Sequence, residues 1–356
     1  RKPPSRPSVV SIAPVSTTSS RSLKKAEADP VMQRGWLPGA LAVLALSASL
    51  LTGAATALAG SFALVTNQSD ETVSFVSLPD LKVTGTVKVG GKPAGIAVSP
   101  NGKRAYVTSP EGKYLTIIDT AEARPVGRIE LEGGPLGIAV HPAGQPVYVA
   151  DWYEHRIFVV DPGTAKITAT WPTGKSPSGL AVSPDGTVLA SADRDSHQVS
   201  LFDTATGKLL HTVKTGERPF GVTYTPDGKH LATADVGGNS VTVIDATTAS
   251  VAATIKVGER PYAVAFARGK GFVTNQYGNS VSVFDMKTWQ VIKTLETGEY
   301  PEGIDTTPDG KSVLVANWFD NTLSRIDADT LEITGEASVG DGPRAFGNFI
   351  TSGPGQ

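Results

Sequence analysis

Short runs of alternating polar and apolar residues, separated by turn residues, cover most of the chain and are typical of β-strands. The segment from residue 217 to 258 shows the pattern in full and predicts four strands, which we call a to d: Phe220–Tyr224, His230–Ala234, Ser240–Ile244 and Ser250–Val257. The turn between strands a and b is Thr-Pro-Asp-Gly, with Pro and Gly where a type I turn favours them. No helical stretch separates the strands, so the unit is antiparallel.

This unit repeats along the chain with a period of 42 residues, shortened once to 40. A series of prolines marks the period: Pro93, Pro135, Pro177, Pro219, Pro261, Pro301 and Pro343. A series of aspartates follows the same register: Asp119, Asp161, Asp203, Asp245, Asp285 and Asp327. Both series share the one irregular spacing, so the periodicity indicates a true structural repeat.

Four antiparallel strands in about 42 residues correspond to one blade of a β-propeller. Six complete units precede residue 341, while Phe62–Val89 holds only strands b, c and d, and Asp341–Ile350 holds only a strand a. The sequence therefore predicts an all-β fold spanning residues 60–350: a seven-bladed β-propeller of four-stranded antiparallel blades. Its closing blade is shared between the N- and C-terminal segments, which removes the open edges of the ring. Residues 351–356 are expected to form a disordered tail.

The position two residues after each marker proline is always small, which fits innermost strands that converge on a narrow channel. These residues are Gly95, Gly137, Gly179, Gly221, Ala263, Gly303 and Ala345. The pattern therefore predicts close backbone approach rather than a binding function.

Composition excludes several classes of chemistry. The chain has no cysteine, which rules out disulfides, thiolate metal sites, covalent haem attachment and cysteine nucleophiles. From Gly60 onward there are 25 basic and 32 acidic residues, so the expected domain has no bulk attraction for nucleic acid or anionic lipid. No phosphate-binding glycine loop, zinc helix or Gly-x-Ser-x-Gly elbow is present.

The first 59 residues resemble an export segment rather than part of the fold. Met32 is followed by Arg34, by the apolar stretch Leu37–Leu51 and by Ala57-Leu58-Ala59 before Gly60, which predicts a cleaved signal peptide over residues 32–59. The alternative is an uncleaved anchor, because Leu37–Ala59 is long enough to span a bilayer. Residues 1–31 are interpreted as a disordered or wrongly assigned N-terminal extension. The expected location is the periplasm or the extracellular space of a bacterium, without a membrane span once the signal is removed.

The strand-b segments resemble the YVTN-repeat propellers. They include Tyr106-Val107-Thr108-Ser109 and Phe272-Val273-Thr274-Asn275, and the turn Ser183-Pro184-Asp185-Gly186 also fits. The resemblance covers Phe62–Ile350 and implies an exported seven-bladed propeller that binds rather than catalyses. It also relates the chain to the haem-d1-like propeller superfamily.

Hairpin alternation places the b–c and d–a loops together at one end of the propeller, which we call the variable rim because its sequences differ between units. The d–a segments and the positions just after the prolines contribute Lys92, Arg218, Phe220, Arg260, Tyr262, Tyr300, Glu302 and Arg344. The b–c loops contribute Trp152, Tyr153, Tyr277, Trp318 and Phe319. Arginines with aromatic residues are suited to a carboxylate, a phosphate or an acidic partner loop. The alternatives are neutralisation by Glu217, Glu259 and Glu299 and packing of the aromatics between blades.

Other polar positions have simpler interpretations. Asx residues end strand b in six of the seven units and are interpreted as turn caps: Asn67, Asp151, Asp193, Asp235, Asn275 and Asn317. His155 and His197 also fall on the variable rim, yet a single loop cluster does not define a metal site. We therefore expect no metal, no cofactor and no catalytic residue.

The sequence thus favours a monomeric, non-enzymatic binding or scaffold propeller that engages a protein partner or a small anionic ligand, without nucleic acid. Two alternatives stay open. One is a lactonase or isomerase, since similar propellers use His, Glu and Arg at the channel mouth. The other is an accessory protein of a periplasmic redox enzyme.

Overall fold

A computed structural model describes residues 60–353 of the chain. The expected signal peptide, the N-terminal extension and the last three residues lie outside the described part. Within it, no helix combines the length and the apolar character needed to cross a bilayer.

The described chain is built from 28 β-strands and a single turn of 3-10 helix, Arg194–Ser196. The first fifteen strands are β1 (Phe62–Asn67), β2 (Thr72–Ser77), β3 (Lys82–Lys88), β4 (Ile96–Val98), β5 (Arg104–Ser109), β6 (Tyr114–Asp119), β7 (Arg124–Glu130), β8 (Pro135–Val140), β9 (Val147–Asp151), β10 (Arg156–Asp161), β11 (Lys166–Pro172), β12 (Pro177–Val182), β13 (Val188–Asp193), β14 (Gln198–Asp203) and β15 (Leu209–Lys214). The others are β16 (Pro219–Tyr224), β17 (His230–Asp235), β18 (Ser240–Asp245), β19 (Ser250–Lys256), β20 (Pro261–Ala267), β21 (Lys270–Asn275), β22 (Ser280–Asp285), β23 (Val291–Glu296), β24 (Pro301–Thr306), β25 (Ser312–Asn317), β26 (Thr322–Asp327), β27 (Ile333–Ser338) and β28 (Ile350–Thr351).

These strands form seven antiparallel sheets of four, which confirms the seven-bladed β-propeller. Blades 1 to 6 are continuous in sequence and run from β4–β7 to β24–β27, while blade 7 combines β28 with β1, β2 and β3. The predicted strands of residues 217–258 match β16 to β19 within one or two residues. Strands b and c of each blade are almost fully buried, whereas the outer strand d is mostly exposed. Apolar residues of adjacent blades pack face to face, as Phe75 of blade 7 does with Ile118 of blade 1 in one cluster.

The closing blade joins the two ends of the described chain, but its strand a is not the continuous strand predicted for residues 341–350. Pro343 bridges Asn67, and Ile350 pairs with Ala63. Seven residue steps therefore face four, whereas in blade 6 the four steps from Pro301 to Asp305 face three. The closing strand thus has three surplus residues where blade 6 has one. The two additional residues form a bulge around Phe346, which lines the channel and bridges Gly95 of blade 1, and the ladder with β1 is interrupted there. Pairing then resumes and extends to Thr351, so ordered structure runs past the predicted boundary at Ile350.

The small residues after the marker prolines lie where adjacent innermost strands almost touch. A Cβ atom added to Gly137 would stand 1.7 Å from the carbonyl oxygen of Ser178, in the next blade. One added to Gly303 would stand 2.1 Å from the carbonyl oxygen of Ala345. The prediction of close backbone approach is confirmed, and the ring could not contract to this radius with larger residues at these positions.

We expect Gly137→Ala to destabilise the fold by about 1–3 kcal/mol, because the new methyl group must displace backbone atoms in a packed core. The matched control is Gly85→Ala, where the added Cβ meets no atom closer than 4.0 Å and the change should stay within about 0.5 kcal/mol. Urea denaturation of both variants measures the difference. Equal stability of the two variants would contradict the close-approach explanation.

We also expect that a chain ending at Pro343 loses cooperative unfolding, because β1 is then left as an unpaired edge with Phe349 missing from the core. A chain ending at Gly353 retains every described contact and serves as the control. Thermal denaturation followed by circular dichroism distinguishes the two. A single sharp transition in the shorter chain would show that ring closure is dispensable.

Candidate functional site

The b–c and d–a loops lie together at one end of the propeller and are tied by a repeated backbone hydrogen bond. The first residue after strand b donates its N–H to the carbonyl of the residue before the marker proline. This bond joins Trp152 to Gly134 at 3.0 Å, Gln276 to Arg260 at 3.0 Å and Trp318 to Tyr300 at 3.1 Å. The assignment of these loops to one rim is therefore confirmed.

Two adjoining cavities of about 340 Å³ each open at the variable rim. We call them together the funnel, and they share Gln68, Phe220 and Arg344. The first also contains Lys92, Trp152 and Tyr153. The second also contains Arg260, Tyr262, Gln276, Tyr300, Glu302, Trp318 and Phe319. Eleven of the thirteen predicted site residues therefore line one continuous region.

The two remaining predicted residues lie outside the funnel. Arg218 is exposed and lines neither cavity, although its backbone has the same positive φ as Lys92, Arg260 and Tyr300. Tyr277 is 54% exposed and stands beside the funnel, with its ring 5.8 Å from Tyr300 and 4.9 Å from the guanidinium of Arg260. Arg218 therefore shares the register position of Arg260 without lining the funnel, and its binding role stays a prediction.

Two rings of seven side chains, one from each blade, supply eleven of the residues that line the funnel. The inner ring is the position after the marker proline: Ala94, Leu136, Ser178, Phe220, Tyr262, Glu302 and Arg344. The outer ring is the first residue after strand b: Gln68, Pro110, Trp152, Arg194, Val236, Gln276 and Trp318. In blades 5 to 7 the inner ring becomes polar, so the floor of the funnel has a polar side and an apolar side.

The polar side is a chain of buried and partly buried contacts across blades 5, 6 and 7. Arg344 donates to the hydroxyl of Tyr262 through Nε at 2.9 Å and Nη2 at 2.8 Å, and its Nε lies 3.1 Å from Oε2 of Glu302. The other oxygen of Glu302 accepts a hydrogen bond of 2.6 Å from Gln276. Gln276 in turn accepts from Nε of Arg260 at 2.7 Å. A single network therefore links both arginines through one carboxylate.

Burial sets the electrostatics of this network. It raises the pKa of Glu302 above its ordinary value, against the opposing effect of Arg344. It also raises the pKa of the Tyr262 hydroxyl, which stays protonated. Burial alone would lower the pKa of Arg344, but Glu302 and Tyr262 outweigh it and hold the guanidinium charged. Oε2 of Glu302 is buried and accepts no well-formed hydrogen bond from a described residue.

An aromatic cluster forms the base of the funnel. The ring of Phe346 lies 5.1 Å from Phe220 and 5.4 Å from Tyr262, and Phe220 lies 4.5 Å from Tyr262. Phe346 belongs to the bulge of the closing strand and reaches blades 4 and 5 across the channel. The aromatic residues thus have two roles. Phe220 and Tyr262 pack in the core, whereas Tyr153 and Phe319 are 67% and 62% exposed.

The proposed neutralisation by glutamates is not seen. Within residues 60–353, no ion pair shorter than 4.0 Å joins Glu217, Glu259 or Glu299 to a cation. Lys92 instead donates to the carbonyl of Ser69 at 3.3 Å. The charges of Lys92 and Arg260 therefore remain available at the funnel.

Sequence reasoning missed Gln68, Gln276 and Phe346. The signal for Gln276 was available, since it occupies the same register as Trp152 and Trp318 in the outer ring. Only aromatic residues were selected there, and an amide that bridges two charged side chains was passed over. Phe346 had no comparable signal, because the bulge that carries it departs from the repeat.

The rim histidines act as turn acceptors. Nδ1 of His155 accepts from the backbone N–H of Ser176 at 3.0 Å, and Nδ1 of His197 from that of Arg218 at 2.9 Å. Asn239 fills the same position in the next blade and accepts from Arg260 at 2.9 Å. Among residues 60–353 no three His, Cys, Asp or Glu side chains are close enough together to hold a metal ion.

The Asx residues that end strand b are buried structural links. Asp235 accepts hydrogen bonds from Thr233, Ser240 and Thr242 at 2.7 to 2.9 Å. Asn275 reverses the polarity and donates to Ser280 and Ser282 at 3.1 and 3.0 Å. These two residues tie strand b to strand c through side-chain hydroxyl groups rather than by capping the turn backbone.

The alternation of Asp and Asn at the end of strand b leads to a testable prediction. Burial raises the pKa of Asp235 to about 6, so the folded state binds more protons than the unfolded state between about pH 4 and 6. Stability contributed by the protonated side chain is therefore lost as the pH rises through that window. Asp235→Asn should remove this loss and unfold at pH 7 with a free energy up to about 2–3 kcal/mol higher, at about 1.4 kcal/mol per pKa unit.

Chemical denaturation at pH 4, 5, 6 and 7 measures the slope. Asp245→Asn is the control, because hydrogen bonds from Thr248 hold the pKa of the Asp245 carboxyl below its usual value. Removing the Asp245 carboxyl group should lower the free energy of unfolding near neutral pH. A pH slope that is unchanged by Asp235→Asn would rule out the buried carboxylate as its source.

The fold and the funnel define a seven-bladed β-propeller with a closed-ended cavity at one rim. A profile of the YNCE-like β-propellers matches residues 136–245 and 257–340, more than half of the chain. The chain therefore belongs to the YNCE-like β-propeller family, consistent with its YVTN-type repeats. None of the curated proteins compared with the chain matches it.

Two solved structures illustrate how widely the fold is shared. Hydrazine synthase of Kuenenia stuttgartiensis is similar with a TM-score of 0.65 and 20% identity, covering 72% of this chain and 89% of that chain. A functionally unknown protein from Desulfotomaculum acetoxidans is similar with a TM-score of 0.68 and 18% identity, covering 79% and 97%. Identities this low establish the common fold alone.

Proposed function

We propose that this protein is an exported, non-enzymatic binding propeller whose funnel holds an acidic group of a protein partner or of a small anionic ligand. The observation that carries the proposal is the network of Arg260, Gln276, Glu302, Arg344 and Tyr262. It fixes two guanidinium groups at the polar side of a cavity that also contains several aromatic side chains. Guanidinium groups held in this way suit a carboxylate or a phosphate, because their geometry is fixed before binding.

The balance of charge supports an anion. The two cavities are lined by three cations, Lys92, Arg260 and Arg344, against two carboxylates, Glu111 and Glu302. Glu302 is already engaged with Arg344, whereas the side chain of Arg260 is bound by the neutral amide of Gln276 and by the ring of Tyr277. Like Lys92, Arg260 forms no ion pair with a described residue, and because Gln276 holds its guanidinium in place we assign Arg260 the first contact with the acidic group.

The exposed aromatic residues support a ligand with an apolar part. Phe319 lies 5.1 Å from Tyr300, which lies 5.8 Å from Tyr277, so three aromatic rings line up beside Arg260. Exposed aromatic side chains next to an arginine are characteristic of binding hot spots. A partner segment that places an acidic side chain in the funnel and an apolar side chain on these rings satisfies both features.

The enzyme alternative has less support. A lactonase of the propeller type uses His, Glu and Arg at the channel mouth, and no histidine is among the residues that line either cavity of the funnel. Glu302 and Arg344 alone would have to provide both proton transfer and substrate activation. The redox-accessory alternative rests on fold likeness only.

The test compares Arg260→Gln and Arg344→Gln with wild type in calorimetric titrations. The probes are succinate, inorganic phosphate and a glutamate-rich pentapeptide with its glutamine analogue. We expect at least one anionic probe to bind wild type, and each substitution to weaken it about tenfold or more, as for a charge-assisted hydrogen bond. Arg124→Gln is the control, since Arg124 is exposed on an outer strand and pairs with Glu122.

The choice of probe separates the two sources of the anion. Preference for the pentapeptide over its glutamine analogue indicates a protein partner, and preference for succinate or phosphate indicates a small ligand. The absence of binding by every anionic probe, or binding that neither arginine substitution weakens, would overturn the proposal.

A further inference from the structure

A second cavity opens at the opposite end of the channel, and its chemistry differs from that of the funnel. It has a volume of about 490 Å³ and adjoins an inner space of about 200 Å³. We call the two the lower chamber, and they share Val222, Thr223, Tyr224, Pro226, Asp305, Thr306 and Asn348. Its outer wall is formed by the prolines of the a–b turns: Pro100, Pro142, Pro184, Pro226 and Pro308. Its size is that of pockets that bind small organic molecules.

The lower chamber is separate from the funnel. Phe346 lines its inner end, while Phe220 and Tyr262, which contact the ring of Phe346, line the funnel. The aromatic cluster therefore lies between the two spaces. A ligand of the lower chamber would not compete for the arginines above it.

Asp305 is the one side chain of the lower chamber, among the described residues that line it, with a formal charge at neutral pH. It lies four residues after its marker proline. The same register position in the other complete blades holds Ala97, Ala139, Ala181, Thr223 and Ala265. Five uncharged residues and one carboxylate in a repeated position indicate that the charge is not required by the blade itself.

The carboxylate of Asp305 has hydrogen bonds but no counter-ion. It accepts from the backbone N–H of Thr306 at 2.8 Å and of Ile350 at 3.0 Å. No cationic side chain within residues 60–353 forms an ion pair with it. Burial raises its pKa to about 7. The wall around this carboxylate mixes hydroxyl and amide groups with valine, alanine and proline side chains and contains no cation among the described residues, so a cation that enters the cavity stabilises the carboxylate most.

We propose that the lower chamber binds a small organic ammonium ion through Asp305. The ammonium group would meet the carboxylate, and the alkyl part would contact the valine, alanine, proline and Tyr224 side chains around it. An organic cation fits this wall better than a metal ion, because a hard metal ion requires several oxygen ligands and Asp305 is a single carboxylate.

Asp305 also has a structural contact that the test must separate from binding. Its bond to Ile350 joins blade 6 to the closing strand, so Asp305→Asn could lower stability without any ligand being involved. A second variant therefore leaves Asp305 unchanged and reduces the space. Ala181 lines the chamber three blades away, and Ala181→Leu narrows it without removing the carboxylate.

The experiment is isothermal titration calorimetry at pH 8 with n-hexylamine, n-hexanol and hexanoate, which share one alkyl chain and differ in charge. Wild type should bind the hexylammonium ion at least tenfold more tightly than hexanol, with no detectable binding of hexanoate. Asp305→Asn should abolish the preference for the amine, and Ala181→Leu should weaken amine binding at least tenfold. Asp80→Asn, which removes a carboxylate from the exposed surface, should bind the amine as wild type does.

Three outcomes would overturn the proposal. The first is that wild type shows no preference for the amine over hexanol. The second is that folded Asp305→Asn retains the preference. The third applies if Asp305→Asn does not fold: Ala181→Leu then binds hexylammonium with wild-type affinity, which would place the amine outside the chamber.

Discussion

The antiparallel pairing of β28 with β1 is the constraint on which the other features of this propeller depend. Apart from the side chains that meet in the channel, each blade packs against its two neighbours, so an unclosed array would leave one innermost strand and one blade face without a partner. Closure fixes the radius of the ring. The radius in turn requires Gly137 and Gly303, because adjacent innermost strands then approach so closely that a Cβ atom would collide with a carbonyl oxygen. The funnel and the lower chamber are the two ends of the channel that this radius defines.

The closing strand also creates the asymmetry of the channel. With two more surplus residues between Pro343 and Ile350 than a regular strand a has, it cannot lie flat against β1, and the excess chain carries Phe346 across the channel to Phe220. The same segment begins with Arg344, which reaches Tyr262 of blade 5. A single irregular strand therefore closes the ring, blocks the channel and supplies the central guanidinium group. A mutation in this segment would be expected to affect stability and binding together.

The fold was predictable because its blade sequence repeats with a nearly constant period. Two residue series in a common register gave the blade count and the shared closing blade, and hairpin alternation assigned the loops of the variable rim. Eleven of the thirteen predicted site residues line the funnel for the same reason. Arg218 shares the register of Arg260 but lines neither cavity, because register places the backbone and not the side chain. Gln276, Phe346 and Asp305 were overlooked because their importance depends on contacts between blades, which a repeat pattern does not encode.

These cases indicate which residues of a repeat propeller determine what it binds. A residue that recurs in most blades, such as the Asx at the end of strand b, maintains the blade and can alternate between Asp and Asn when its partners are hydroxyl groups that can donate or accept. A residue that differs in type from those at the same register position in the other blades is not required by the blade itself. In this chain the departures next to the channel concentrate in blades 5 to 7: Tyr262, Glu302 and Arg344 above the aromatic cluster and Asp305 below it. Because the two sets face separate cavities and differ in charge, the same ring can present a cationic site at one end and an anionic site at the other without either neutralising its counterpart.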